Sequence, residues 1–382
     1  MKNGKFFGLG LLLIVIAAVI GFSFLRSGQP DQVSITGLVG GEKINLLENT
    51  RVKEIAKKEY GLTYDYRKAG SVDMVQPGAS DNFQYLFPSS QFAADLQEYL
   101  GGENQFSDIM FNTPIVLYSR HIVVDVLIKA GYVTEENGIY TVDMAKLANA
   151  MKEGKTWADI GLTDLYGDIL VDTTNPNASN SGNMFLGLLA NALNDNKAIT
   201  KEQVAELKPV LKAIYNKIGY SQTSSSDLFN QFLKQGVGAY PIIAGYESQW
   251  LEFSKIEPNV YNQVKDDIVM LYPSPTVWSS HVLIGIDEGA EVMRKVMLDE
   301  EVQEIAWSQH GFRTIVSGTE TDAYQDLPGV RKDIKSVMSL PQADIMLELM
   351  GLYTFWCGFI EMTLFIHTFI NQYKKSWNSD II

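Results

Sequence analysis

Short apolar segments alternate with amphipathic helical patterns along almost the whole chain, and that alternation restricts the fold to an open α/β sheet flanked by helices. Strands are expected at Val33–Val39, Leu62–Tyr66, within Ile109–Tyr118, and at Ile169–Thr173, Ala239–Ala244, Ile268–Leu271 and Val282–Ile286. Between them, apolar positions at helical spacing predict helices over Glu42–Lys58, Ser89–Leu100, Ile122–Ala130, Met144–Met151, Gly182–Leu193, Lys201–Ile218, Asp227–Lys234, Glu288–Leu298 and Glu301–Gln309. In Ser89–Leu100, for example, Phe92, Ala93, Leu96 and Leu100 fall on one side. Ser89 or Ser90 is placed to cap its first turn.

A chain of 382 residues has room for two domains, and 46% hydrophobic against 20% charged residues supplies a sizeable core. The formal net charge of −14 is spread without long runs of one sign. Such a chain has little to offer a phosphate backbone, so nucleic acid is not an expected partner. The single cysteine, Cys357, excludes an intrachain disulfide, and His121, His281, His310 and His367 are scattered. No metal site and no cofactor is expected.

The N-terminus directs the chain outward. Lys2 and Lys5 precede an uncharged run from Phe6 to Leu25. As a helix rising about 1.5 Å per residue, this run spans roughly the 30 Å of bilayer hydrocarbon. Lysines ahead of it favour that end in the cytoplasm and the rest on the outer face of the membrane. Cleavage after Ser23 competes with retention as an anchor. The run exceeds an ordinary signal-peptide core of about 7–15 residues, so retention is the favoured expectation. Ser27–Gln32 is a polar linker. At the other end, Leu349–Ile370 is largely apolar yet carries Glu361 and His367. Ionisable groups in mid-membrane are costly, so a packed or interfacial helix is expected in preference to a second span.

Three helix starts concentrate polar side chains. Thr173–Asn183, TTNPNASNSGN, offers Ser179, Asn180 and Ser181. Phe87–Gln91, FPSSQ, offers Ser89 and Ser90, and Gln222–Asp227, QTSSSD, offers Ser225 and Ser226. A helix start presents unpaired N–H groups and a partial positive charge, which suits an anion or a polar oxygen. One such serine is an ordinary N-cap. Three serine-rich starts in one α/β chain point to loops that converge beyond the carboxyl ends of the strands. Tyr246 and Glu247, in GAYPIIAGYESQ, follow an expected strand; ligand contact and structural pairing fit them equally.

Catalytic signatures are lacking. There is no nucleophile elbow, no phosphate-binding P-loop and no H-E-x-x-H. His281 directly follows Ser279 and Ser280, but a nucleophile and its base are defined by geometry in space, which adjacency does not supply. His310, in WSQHGFR, reads as a structural histidine near a helix end.

Six blocks carry a resemblance: FNTPIVLYS (Phe111–Ser119), SNSGN (Ser179–Asn183), SSSDLF (Ser224–Phe229), GYESQ (Gly245–Gln249), YPSPTVWSSH (Tyr272–His281) and AWSQHGFRT (Ala306–Thr314). Together they resemble bacterial extracellular solute-binding proteins of the type II periplasmic-binding-protein fold, the substrate-binding components of ABC-type transporters. The likeness runs from about Val33 to Ala343. It implies two α/β lobes joined by two hinge crossings, near Asn112–Val116 and near Tyr240–Ala244, with Asn112 and Thr113 at the cleft. Lobe one would comprise 33–113 and 245–343, and lobe two 114–244. Residues 1–32 would be anchor and linker, and 344–382 an apolar tail. A small polar solute, with an oxyanion favoured, and a membrane permease are the implied partners. The chain lacks the family's lipid-anchor cysteine, which shifts anchoring to the N-terminal helix. Two other readings stay open on the residues alone: a cell-surface assembly protein with a vestigial cleft, and an α/β hydrolase.

Overall fold

The computed structural model describes residues 30–219 and 221–351. The apolar run Phe6–Leu25 and most of the C-terminal apolar tail lie outside the described residues. Among the described residues, no helix is long and apolar enough to cross a membrane.

The strands are β1 (Val33–Val39), β2 (Leu62–Lys68), β3 (Tyr85–Phe87), β4 (Phe106–Arg120), β5 (Val133–Glu136), β6 (Ile139–Asp143), β7 (Ile242–Tyr246), β8 (Ile268–Ser274), β9 (Trp278–Gly285) and β10 (Arg313–Thr314). They form two half-sheets. In the first, β2, β1 and β3 run parallel, and β3 meets β9, which meets β4 antiparallel. In the second, β7 and β8 pair with β4, and β6 pairs parallel with β8 and antiparallel with β5. Helices cover both, giving two α/β lobes.

One long strand belongs to both lobes. Residues Phe106–Pro114 of β4 pair with β9 in the first half-sheet, and Ile115–Arg120 pair with β7 and β8 in the second. This places one crossing at Pro114–Ile115. The second crossing differs from the expectation at Tyr240–Ala244. Strand β7 lies wholly in the second half-sheet, and the chain returns along β8 and β9, which run antiparallel beside β4. Ile115 N–H donates to Val277 O (3.1 Å), and Thr276 Oγ1 donates to Ile115 O (2.6 Å). Accordingly β8, expected with lobe one, belongs to the second half-sheet.

Local sequence explains the other departures. The helix expected over Glu42–Lys58 is two, Ile44–Glu48 and Thr50–Glu59, because Asn49 leaves helical geometry and its side chain accepts from Arg51 and Val52 N–H. Ile169–Thr173 is no strand; it makes a single bridge, Asp172 to Ile243. The hairpin β5–β6 went unread, although its Asn137-Gly138 turn, with φ of 54° and 77°, is a strong hairpin signal. The helix Ala343–Leu349, assigned to the tail, buries Ile345, Met346, Leu347 and Leu349 in the main core.

Candidate functional site

The three serine-rich helix starts meet. A cleft of about 410 Å³ lies between the lobes, lined by Ser89, Ser179, Asn180, Ser225, Ser226 and Tyr246 of the expected site residues. The lining continues with Gly40, Gly41 and Glu42 after β1, with Lys68 at the end of β2, Ala69 to Ser71 and Asp73 beyond it, and with Thr223 and Ser224.

Local chemistry fixes each wall. The helix Asn180–Leu193 begins after Ser179, and the helix Ser225–Lys234 after Ser224; neither start has a side-chain cap. Their first N–H groups have no partner within the helix. The helix Gln91–Tyr99 is different, because Ser90 caps it by accepting from Ala93 N–H (3.4 Å). The two uncapped loops are tied together by Asn175 N–H donating to Gln222 O (2.9 Å). Ser181 sits one layer back, with its hydroxyl 2.8 Å from Thr174 Oγ1 and 3.2 Å from Ser179 Oγ. Gly182 is required there, since a Cβ would stand 2.2 Å from the Thr174 carbonyl oxygen.

Asn180 joins the two walls. Its Nδ2 donates to Ser89 O of the first lobe (2.9 Å) and to the Tyr246 hydroxyl (2.9 Å), with Ser279 Oγ at 3.4 Å. Burial pushes the Tyr246 phenol up, so it stays neutral.

The remaining expected contacts have structural duties. Asn112 Oδ1 accepts from Ser280 Oγ (2.7 Å), and Thr113 Oγ1 accepts from Ser248 N–H (3.2 Å). Glu247 is fully buried. Arg313 Nε and Nη2 donate to it at 2.7 and 2.9 Å, and the Tyr272 hydroxyl donates to it as well. Asn112, Thr113, Glu247, Ser90 and Ser181 therefore do not line the cleft.

Sequence reasoning missed the groups at the end of β1. Glu42 and Lys43 sit side by side with His281 and Ser89. Lys43 is completely buried; its Nζ donates to Glu42, to Ser89 Oγ (2.9 Å) and to Pro88 O (3.4 Å), and lies 3.2 Å from His281 Nδ1. Ser89 Oγ also donates to Glu42. Burial alone would raise the Glu42 carboxyl, but Lys43 and His281 outweigh it and hold the group well below the carboxylate range. Burial, reinforced by the Lys43 charge, pushes His281 down to about 4, so the ring is neutral. Gly40 permits this packing: a Cβ would lie 2.4 Å from Ser89 Oγ and 2.6 Å from Glu42 Oε1. The available signal was the Gly40-Gly41 pair directly after an expected strand, which favours a close backbone turn into a helix.

Among the described residues, no group of three or more His, Cys, Asp and Glu could hold a metal ion. Ser279 donates to the Ser89 carbonyl, and Ser280 to Asn112, so neither serine hydroxyl is hydrogen-bonded to His281.

No family model matches the sequence, and no curated protein matches it. Solved structures do match in fold. The apo ferric ion-binding protein A of Pasteurella haemolytica is 12% identical at a TM-score of 0.55, over 84% of this chain and 96% of that one. A ferric binding protein from Campylobacter jejuni is 12% identical at 0.54, over 84% and 98%. The sulfate-binding protein of Mycobacterium tuberculosis is 13% identical at 0.50, over 85% and 97%. The described chain has the two-lobed type II periplasmic-binding-protein fold.

Proposed function

We propose that the chain is an extracytoplasmic receptor that closes its lobes on a small polar solute, an oxyanion by preference, and delivers it to an ABC-type membrane permease. The observation that carries this reading is the convergence of three serine-rich helix starts on one cleft, with the two in the second lobe uncapped. At about 410 Å³ the cleft suits a small molecule. Serine hydroxyls and free helix N–H groups replace the water of an oxygen-rich solute. Matching is needed, because a buried polar group left unpaired costs about 1–3 kcal/mol. That cost selects the ligand.

Closure turns on the paired strands β4 and β8–β9, the continuous backbone between the half-sheets. A ligand that touches both walls favours the closed state by its differential affinity. Ser279 and Ser280 donate to the Ser89 carbonyl and to Asn112, and His281 Nδ1 faces Lys43, so these three do not form a nucleophile–base pair. The permease, the outer-face location and anchoring through Phe6–Leu25 extend this reading from the sequence and the fold.

Native mass spectrometry of the purified exported part tests it. A retained small polar mass is expected, released on unfolding. A protein that carries nothing and is not stabilised by any sulfate, phosphate, molybdate or sugar sample would contradict the receptor reading; a ligand at 100 times its Kd should add about 2.7 kcal/mol.

A further inference from the structure

A second cavity, of about 450 Å³, lies against the hinge and shares no lining residue with the cleft. Phe92 comes from the first-lobe helix Gln91–Tyr99, and Val277 and Trp278 come from the crossing between the half-sheets. The segment 337–342 supplies most of the rest, with Leu340 and Pro341. That segment is fastened to the hinge and to the second lobe. Met338 N–H donates to Thr276 O (2.8 Å), and Asn191 Nδ2 donates to Ser339 O (2.9 Å). Leu340 packs so closely on Gly187 that a Cβ there would stand 2.5 Å from its Cδ2. The cavity is therefore bounded by both lobes and by the crossing, so a ligand held there favours the lobe angle that fits it.

The lining is largely apolar, with two exceptions that give it direction. Trp278 is half-buried. Among the described residues its ring stacks on no other aromatic ring and its indole N–H donates to no group, partners that a packed tryptophan ordinarily finds. Asp95 is the only charged residue among the described residues of the lining, and its Oδ1 accepts from Gln91 Nε2 (2.9 Å). Apolar walls disfavour a fully hydrated ion, and the carboxylate repels an anion. A cation with an apolar body satisfies both, lying on the indole face and bringing its charge to Asp95.

We propose that this hinge cavity is a second ligand site, for a small organic ammonium ion with an apolar body, held on the face of Trp278 with its charge at Asp95. The site is independent of the oxyanion reading, because none of its residues lines the cleft.

Calorimetric titration of the full chain near pH 7 with 2-phenylethylamine, 2-phenylethanol and 3-phenylpropionate tests this. The three share an aromatic body and are cationic, neutral and anionic at that pH. The amine should bind with a Kd below about 1 mM and at least about tenfold tighter than the other two. Asp95→Asn keeps the acceptor for Gln91 and removes the charge, and it should bring the amine to within about threefold of the alcohol. Trp278→Leu should weaken the amine at least about tenfold. Ser225→Ala/Ser226→Ala, in the cleft, should leave amine binding unchanged. An amine that does not bind at millimolar concentration, or binds no tighter than the alcohol, overturns the proposal. So does a loss of amine binding in the cleft variant, which would put the amine in the cleft. A folded Asp95→Asn or a folded Trp278→Leu that binds the amine as before overturns it as well. Should Trp278→Leu not fold, Asp95→Asn and the cleft variant decide. Each of these outcomes leaves the receptor reading to its own test by native mass spectrometry.

Discussion

Glu42 and Glu247 are both carboxylates beside a buried cation, yet they differ in what they leave open. Both oxygens of Glu247 are satisfied, one by Arg313 Nε and the other by Arg313 Nη2 and Tyr272. Arg313 also donates to the carbonyls of Arg331 and Lys332, which fastens the segment after β10. Glu42 meets a point-charge lysine that engages one oxygen, and the residue lines the cleft. A bidentate arginine closes a carboxylate, whereas a lysine leaves half of it free. The first arrangement ties β7 and β8 to the segment after β10, and the second lines the cleft.

The contrast can be broken most forcefully at Glu247. Glu247→Ala strands the buried Arg313 charge and should cost about 3–5 kcal/mol in urea unfolding. A loss under about 1 kcal/mol would mean that the pair is not structural.

A smaller effect is expected from His281. Its ordinary value is 6.5, and burial holds it at about 4 in the fold. The unfolded chain then binds a proton that the folded chain does not across this window. Stability is full above about pH 6.5 and falls as pH drops toward 4, by on the order of 3 kcal/mol. Comparing unfolding midpoints at pH 7 and pH 4.5 with those of His281→Gln checks this. An equal acid loss in the variant would place the titration elsewhere.

The smallest effect separates two serines on neighbouring positions. Ser90→Ala removes a cap and should lower stability by about 1 kcal/mol while leaving solute affinity unchanged. A fall in affinity with unchanged stability would move Ser90 from the helix cap into the site.

Much of this was legible in the sequence, for identifiable reasons. The serine-rich starts at Ser89, Ser179 and Ser225 were readable because helix starts have local chemistry, and that chemistry survives whatever the tertiary fold. Which serine of each pair faces the cleft was not readable, since Ser89 and Ser90 differ only in direction. That Glu247 is closed was not readable, because Arg313, which closes it, lies 66 residues along the chain. Lys43 and His281 are likewise 238 residues apart, so their contact is purely tertiary. The second crossing was misplaced because β7 and β8 are both short apolar strands, and only their pairing with β4 tells which one leads into the other lobe.

The receptor proposal requires the uncapped helix starts of the second lobe to hold a solute in the cleft. Native mass spectrometry of the unaltered protein beside a Ser225→Ala/Ser226→Ala variant tests it most directly. The unaltered protein should retain a small polar mass, and the variant should lose it while unfolding at nearly the same urea concentration. Equal retention by both would contradict the account.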